Sequence, residues 1–273
     1  MSNAHLEPWL RRWRLEPDGD AFATPFHSWL MPVLFDGAPA MLKIALNQEE
    51  REGAHLMTWW AGDGAARVLA HQREALLLER ATGEQSLAAM ARSGQDDAAS
   101  EILCQAVARL HALRPQPRPS TLAPLPVWFR QLAPTAASHG GVLLESAAAA
   151  AALLASPREE AVLHGDIHHD NVLDFGPRGW LAIDPKGLFG ERAYDYLCLF
   201  CNPWPMAAEP GRLRRRLEVV AKAAALEPGR LLSWVVAFAG LSAAWTIGDG
   251  GDAAPALEIA QIAAAQLAAR PVL

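Results

Sequence analysis

The stretch VLHGDIHHDNVLDFGPRGWLAIDPKG, residues 162–187, constrains this chain more than any other. Three short apolar runs, AVLHG, NVLDF and WLAID, alternate with dense polar loops. Apolar runs of this length, bounded by glycine, proline and asparagine or aspartate, read as strands. A hairpin between the second and third, turning at GPRG, brings Asn171 and Asp184 to the same end of a ribbon. The loop after the first run carries Asp166 toward them. Two carboxylates and an amide oxygen converging on one loop make a hard-oxygen site suited to Mg²⁺. Such a cation can hold a nucleotide's phosphates while Asp166 takes a proton from an attacking hydroxyl. Zinc fits poorly. His168 and His169 are neighbours whose side chains diverge in an extended loop, and His164 alone does not complete a tetrahedral set.

Around this segment the chain changes character. Residues 29–46 read as two strands joined by a turn at Asp36-Gly37, followed by a helix over 49–60 and two further strands, ARVLA and EALLLER. From residue 98 onward, helical periodicity dominates. The segment 99–113 is amphipathic, a proline-rich connector spans 115–126, and a helix follows over 127–137. A further helix contains the alanine run 147–152 and ends near Ser156-Pro157, and three more cover 210–226, 229–247 and 253–269. The order predicts an α+β chain with a small β-rich lobe, residues 1–82, and a larger helical lobe, residues 83–273.

Composition narrows the function classes. A net charge of −6 without a basic stripe argues against nucleic acid, and the cluster at 212–216 reads as a solvated helix face. The same acidity permits a cationic small-molecule partner. Three cysteines are too few for a disulfide framework, and the Cys198-x-x-Cys201 pair lies in the apolar run YLCLFCN. It reads as a buried helical turn. The N-terminal residues show no apolar signal region, so a cytoplasmic protein is expected. Residues 231–248 carry no charge for eighteen positions, the lower limit for a membrane span. Their serines, glycines and alanines predict a core helix instead, and no membrane partner.

HGDIHHDN followed by IDPKG resembles the H-G-D-x-x-x-x-N and I-D motifs of the aminoglycoside phosphotransferases. The fuller run, with LSAAW near the end, looks most like the streptomycin 6-kinase and hydroxyurea antibiotic-resistance kinase branch. The resemblance spans residues 29–265 and implies a two-lobed, protein-kinase-like fold, with ATP and Mg²⁺ as cofactors. It implies that Asp166 is the catalytic aspartate, that Asn171 and Asp184 are metal ligands, and that Lys43 is the phosphate-contacting strand lysine. Glu50 is then the helix partner of Lys43, with Glu52 as its rival. Glu79 and Ala81 bound a hinge that grips adenine through its backbone, and His164 and Asp195 brace the catalytic loop. No glycine-rich phosphate loop is present; PDGDAFATPFHS takes its place.

The expected reaction is phosphorylation of a streptomycin-type acceptor at its 6-hydroxyl. Hydroxyurea or a metabolite alcohol is an alternative acceptor, and a nucleotide-binding pseudokinase is an alternative class. The intact Lys43, Asp166, Asn171 and Asp184 set speaks against the last. Guanidinium groups on the acceptor need carboxylates, for which Glu209, Asp249 and Asp252 are candidates. Trp204 and Trp245 are candidates to line the same pocket, while Trp59, Trp60, Trp128 and Trp234 fall at core positions. The oligomeric state is not legible in the sequence.

Overall fold

The structure, a computed structural model, describes residues 5–24 and 28–269. An N-terminal helix, α1 (Glu7–Arg12), precedes strands β1 (Glu16–Pro17), β2 (Phe22–Thr24), β3 (Ser28–Phe35) and β4 (Ala38–Ala45). Helix α2 (Gln48–Trp60) then leads to β5 (Val68–Gln72) and β6 (Ala75–Glu79). These strands form one antiparallel sheet in the order β1-β3-β4-β6-β5, with β2 also paired to β3. The turn at Asp36-Gly37 joins β3 to β4 in strict register, Phe35 opposite Ala38.

Period-two burial gives this sheet two uses. Ala40, Leu42 and Ile44 of β4 are buried in a small core with Trp9 of the N-terminal helix and Leu6 just before it. Met41 and Lys43 point the other way. Helix α2 starts at Asn47, whose Oδ1 accepts the Glu50 N–H at 2.9 Å, a capping bond that fixes where the first turn begins.

After β6 the chain becomes mainly helical, with α3 (Leu87–Met90), α4 (Asp96–Leu110), α5 (Leu125–Trp128), α6 (Leu132–His139) and α7 (Val142–Ala155). The C-terminal part adds α8 (Arg212–Ala223), α9 (Pro228–Gly248) and α10 (Ala254–Ala268). Short strands are set among them: β7 (Ala123–Pro124), β8 (Glu160–Leu163), β9 (Val172–Asp174), β10 (Trp180–Ala182) and β11 (Leu188–Glu191). β9 and β10 form the expected hairpin, and β11 lies between β7 and β8. Neither α1 nor β11 is anticipated by periodicity, because each is too short to show any.

Some expectations need correction. The helix expected over 127–137 is two helices separated by a 3-10 turn at Phe129–Gln131. The basic cluster is not uniformly solvated: Arg216 is 1% exposed. Its guanidinium binds the buried Asp96 carboxylate at 2.7 Å and donates to the Leu199 and Asn202 carbonyls, each at 2.6 Å. A buried charge needs this full set of partners, and removing one of them costs about 3–5 kcal/mol. Helix α9 is the only described helix long and apolar enough to cross a membrane, and 67% of its most apolar window is buried inside the protein. It packs against α7 and α10 as the centre of the helical core.

Candidate active site

Strand β4 and helix α2 position the first charged group. Lys43 stands opposite Leu30 of β3 and Leu76 of β6, on the sheet face turned away from the small core. Its Nζ pairs with Glu50 Oε2 and Asp184 Oδ1. Glu50 is buried, and it also accepts from the Ser28 hydroxyl at 3.1 Å. Glu52 sits elsewhere on the helix, held by Gln48 at 2.6 Å, so Glu50 is the residue that reaches Lys43. Helix α2 approaches the Asp184 segment closely. A Cβ on Gly53 would lie 2.2 Å from the Pro185 carbonyl oxygen, so only glycine permits this contact.

The β9–β10 hairpin sets the second group. Asn171 and Asp184 flank its paired residues, and the Ile183 N–H donates to the Asn171 carbonyl at 2.9 Å. Asp184 adopts a left-handed backbone, φ 62°. Burial pulls its carboxyl pKa up, but the Lys43 ammonium outweighs this and holds it below the usual carboxylate range. Asn171 Nδ2 donates to the Asp166 carbonyl at 2.9 Å and to Asp166 Oδ2 at 3.2 Å. Asp166 Oδ1 accepts a hydrogen bond from the Cys198 thiol at 3.3 Å. Burial, reinforced by the Asp166 charge, pushes the Cys198 pKa well above the usual thiol range, so the donor stays protonated.

Behind Asp166 the loop is braced. Asp195 Oδ1 accepts the Gly165 N–H at 2.7 Å, and its Oδ2 accepts the His164 N–H at 2.9 Å. His111 Nε2 also binds Asp195 Oδ2, at 2.8 Å. His164 is fully buried, meets the Ile183 carbonyl through Nε2 at 2.7 Å, and stacks on Trp60. Burial lowers its pKa against the pull of the Asp195 and Asp166 carboxylates, which keeps it a neutral brace. No group of three or more histidines, cysteines or carboxylates that could hold a metal ion occurs among the described residues. His169 is buried with neither ring nitrogen paired.

Two cavities meet at these residues. One, of about 530 Å³, is lined by Lys43, Asn171 and Asp184 and by apolar side chains including Met41, Leu78 and Ile183. Glu79 and Ala81 line its edge. The Glu79 carboxylate is taken up by Arg178 and the Arg67 N–H, while the Ala81 backbone N–H and C=O make no hydrogen bond to any described residue. In the segment replacing the phosphate loop, Phe22 and Thr24 line this cavity, and residues 25–27 lie outside the described residues.

The second cavity, of about 480 Å³, is lined by Asp166, Lys186, Glu49, Trp128, Trp245 and Asp249, among others. Burial pulls the Lys186 pKa down, but Glu49, at 3.1 Å, and Glu50, at 3.3 Å, outweigh it and raise it. Of the three carboxylates expected around the acceptor, only Asp249 lines this cavity. Glu209 pairs with Arg212 at 2.8 Å, and Asp252 caps the Ala254 N–H at 3.0 Å. Both serve helix starts. Trp204 is 40% exposed and does not line the cavity, whereas Trp128, expected in the core, forms part of its wall. Cys198 and Cys201 line it too, from a 3-10 turn. The C-x-x-C spacing gave no sign that the first thiol would face Asp166.

The family described as aminoglycoside/hydroxyurea antibiotic resistance kinase matches residues 12–250. The chain belongs to this family. It is 52% identical to the streptomycin 3''-kinase of Klebsiella pneumoniae, over 88% of this chain and 92% of the relative. It is 32% identical to the streptomycin 6-kinase of Streptomyces griseus, over 95% and 87%. In fold it resembles the crystal structure of aminoglycoside phosphotransferase APH(4)-Ia, with a TM-score of 0.67 at 14% identity over 98% of each chain. The α+β, protein-kinase-like architecture expected from the sequence is therefore the one observed. The chain carries its large antiparallel sheet in the N-terminal part and most of its helices in the C-terminal part.

Proposed function

We propose that the protein transfers the γ-phosphoryl group of ATP to a hydroxyl of streptomycin, at the 3''-position. The observation that carries this reading is the placement of Asp166. Its carboxylate opens onto the 480 Å³ cavity, while Asn171, which donates to it, lines the 530 Å³ cavity with Lys43 and Asp184. A hydrogen-bonded pair with one member in each cavity is what transfer from a nucleotide to a separate acceptor requires.

On the nucleotide side, the unpaired Ala81 backbone offers a donor and an acceptor for an adenine edge, and the apolar walls cover its faces. Lys43, oriented by Glu50, supplies positive charge for the phosphates. The donor set suits Mg²⁺. With Nδ2 turned to Asp166, Asn171 leaves Oδ1 without a protein donor, and Asp184 leaves Oδ2 free of the Lys43 pair. These two oxygens would hold the cation, which would supply charge neutralisation at the phosphates. Asp166 orients the acceptor hydroxyl and takes its proton as the hydroxyl oxygen bonds to the γ-phosphorus. The bond to the bridging oxygen breaks, and its electron pair leaves with ADP.

The 52% relative supports streptomycin and the 3''-position; the 6-position expected from the sequence rests on relatives at 32%. Cavity size supports the sugar acceptor, since hydroxyurea would leave most of 480 Å³ unfilled. An ATP-dependent reaction suits a cytoplasmic enzyme. The test is streptomycin-dependent ADP release followed by NMR assignment of the phosphorylated carbon. A phosphate on the 3''-oxygen supports the reading, a phosphate on the 6-oxygen restores the position first expected, and no streptomycin-dependent release overturns the acceptor.

A further inference from the structure

The acceptor cavity has one wall that phosphoryl transfer does not use. Phe238, Ser242, Trp245 and Asp249 all line it, and their spacing along α9 is that of a single helical face. Trp128 of α5 faces them, its ring meeting the Trp245 ring at 5.3 Å and 72°. Its indole is fixed by a 2.7 Å hydrogen bond from Nε1 to the Tyr194 hydroxyl. Tyr194 in turn packs edge-on against Phe238, and Phe238 against Trp245. The aromatic wall is therefore held from behind. Gln131 ties the two sides together by donating to the Ala244 carbonyl at 3.3 Å.

The polar groups on this wall are selective. Asp249 ends α9 one turn after Trp245, its N–H bonded to the Trp245 carbonyl at 3.0 Å, and it is exposed while lining the cavity. Trp245 Nε1 donates to no described residue. Nearby, Lys186 is already matched by Glu49 and Glu50, and Arg130, the other cation on the lining, donates to the Val127 carbonyl at 3.2 Å, while Asp249 makes no ion pair with any described residue. A half-buried indole next to an exposed carboxylate suits a flat, weakly hydrated cation. A guanidinium stacks on an aromatic face and gives up its water at low cost, whereas an ammonium of the same charge holds its water tightly.

We infer that Trp245 and Trp128 form a subsite that selects guanidinium over ammonium groups on the acceptor, with Asp249 supplying charge but not the selection. The inference rests on the proposed streptomycin reading and adds to it the residues that set acceptor class. The reacting hydroxyl belongs to Asp166; the tryptophan wall holds another part of the same molecule.

The test uses a matched pair of ligands, streptidine and streptamine. They share one cyclitol ring and differ in carrying two guanidinium or two ammonium groups. Their affinities are measured by calorimetry on the full chain as wild type, Trp245→Leu, Trp245→Phe and Asp249→Asn. Wild type should prefer streptidine about tenfold. Trp245→Leu should bring the two ligands within about twofold, and Trp245→Phe should keep most of the preference. Asp249→Asn should weaken both ligands alike and leave their ratio in place. Unchanged ATP affinity in each variant shows that the fold survives. No preference in wild type, no binding of either ligand, or an undiminished ratio in Trp245→Leu overturns the inference. Streptomycin turnover, read in parallel, separates the two claims: turnover with an undiminished ratio sinks the subsite alone. Selective binding without turnover sinks the proposed reaction alone.

Discussion

The two cavities on either side of the Asp166–Asn171 contact are built by different means. The nucleotide-side cavity takes its charged groups from strands and a hairpin, where register fixes every offset: Lys43 opposite Leu76, Asn171 and Asp184 at one end of β9 and β10. The acceptor-side cavity draws on segments scattered from Glu49 to Asp249, each contributing one helical stripe or turn. A strand pair that shifts by one residue turns every side chain to the other face, so the first cavity tolerates little variation. Single side chains on helix faces can change without disturbing the backbone, so the second is where substrate choice can be tuned. Under the proposed function, one half is the fixed apparatus for phosphoryl transfer and the other a replaceable mould.

Substitutions can break that division or sharpen it. Within the nucleotide-side cavity the largest effect is expected at Asp184. Asp184→Asn removes a negative hard ligand, and Mg²⁺-dependent ATP affinity should fall about a hundredfold while streptomycin affinity stays put. Titrations of both ligands check this, and equal losses on the two sides would erase the distinction.

Gly53→Ala comes next. The added Cβ would sit 2.2 Å from the Pro185 carbonyl oxygen, and backbone cannot yield cheaply. Helix α2 must back away and take Glu50 with it, so kcat/KM for ATP should drop about tenfold. Steady-state kinetics with each substrate varied in turn would expose an effect confined to the wrong side.

Cys198→Ala tests the junction from the acceptor side. Losing one donor to Asp166 should lower kcat about threefold to tenfold with both KM values unchanged, and Cys198→Ser should restore it. A serine variant no better than alanine would leave the thiol as mere filling.

Much of the nucleotide half is legible in the sequence, because its chemistry sits at fixed short spacings around three strand-sized apolar runs. Asp166, Asn171 and Asp184 can be brought together on paper by one hairpin, and the structure brings them together. Lys43 comes only from the family resemblance, and Glu50 then follows from the helical stripe it shares with Gly53 and Met57. The acceptor half is legible only in fragments. Trp245 sits on, and Asp249 just after, a largely apolar helix whose faces are hard to rank by hydrophobicity, since most of its residues are buried. Glu209 and Asp252 carry the right charge but are spent on helix starts, a use that composition does not separate from ligand binding. Cys198 and Trp128 read as core. The buried Arg216 looks solvated in sequence because its partner Asp96 lies 120 residues away.

His169 gives the smallest effect and belongs to neither cavity. Burial, with the Arg216 charge added, holds its pKa down at about 3, below the ordinary value of about 6.5. A base whose folded pKa is depressed lends stability that is whole above the unfolded pKa and is lost as pH falls toward the folded one. The wild-type Tm should therefore decline between about pH 7 and pH 5, and His169→Leu should decline less. His164, also depressed by burial, preserves part of the slope in the variant. Parallel slopes would show that His169 is not held neutral.

The junction itself is tested most directly by Asp166→Asn, which keeps the size of the side chain and removes its ability to take a proton. Streptomycin-dependent ADP release should fall about a thousandfold or more, while the affinities for ATP and streptomycin, measured by calorimetry, stay within about twofold of wild type. Release at the wild-type rate, or loss of one ligand's binding in place of turnover, would contradict the account of Asp166 as the group that joins the two cavities.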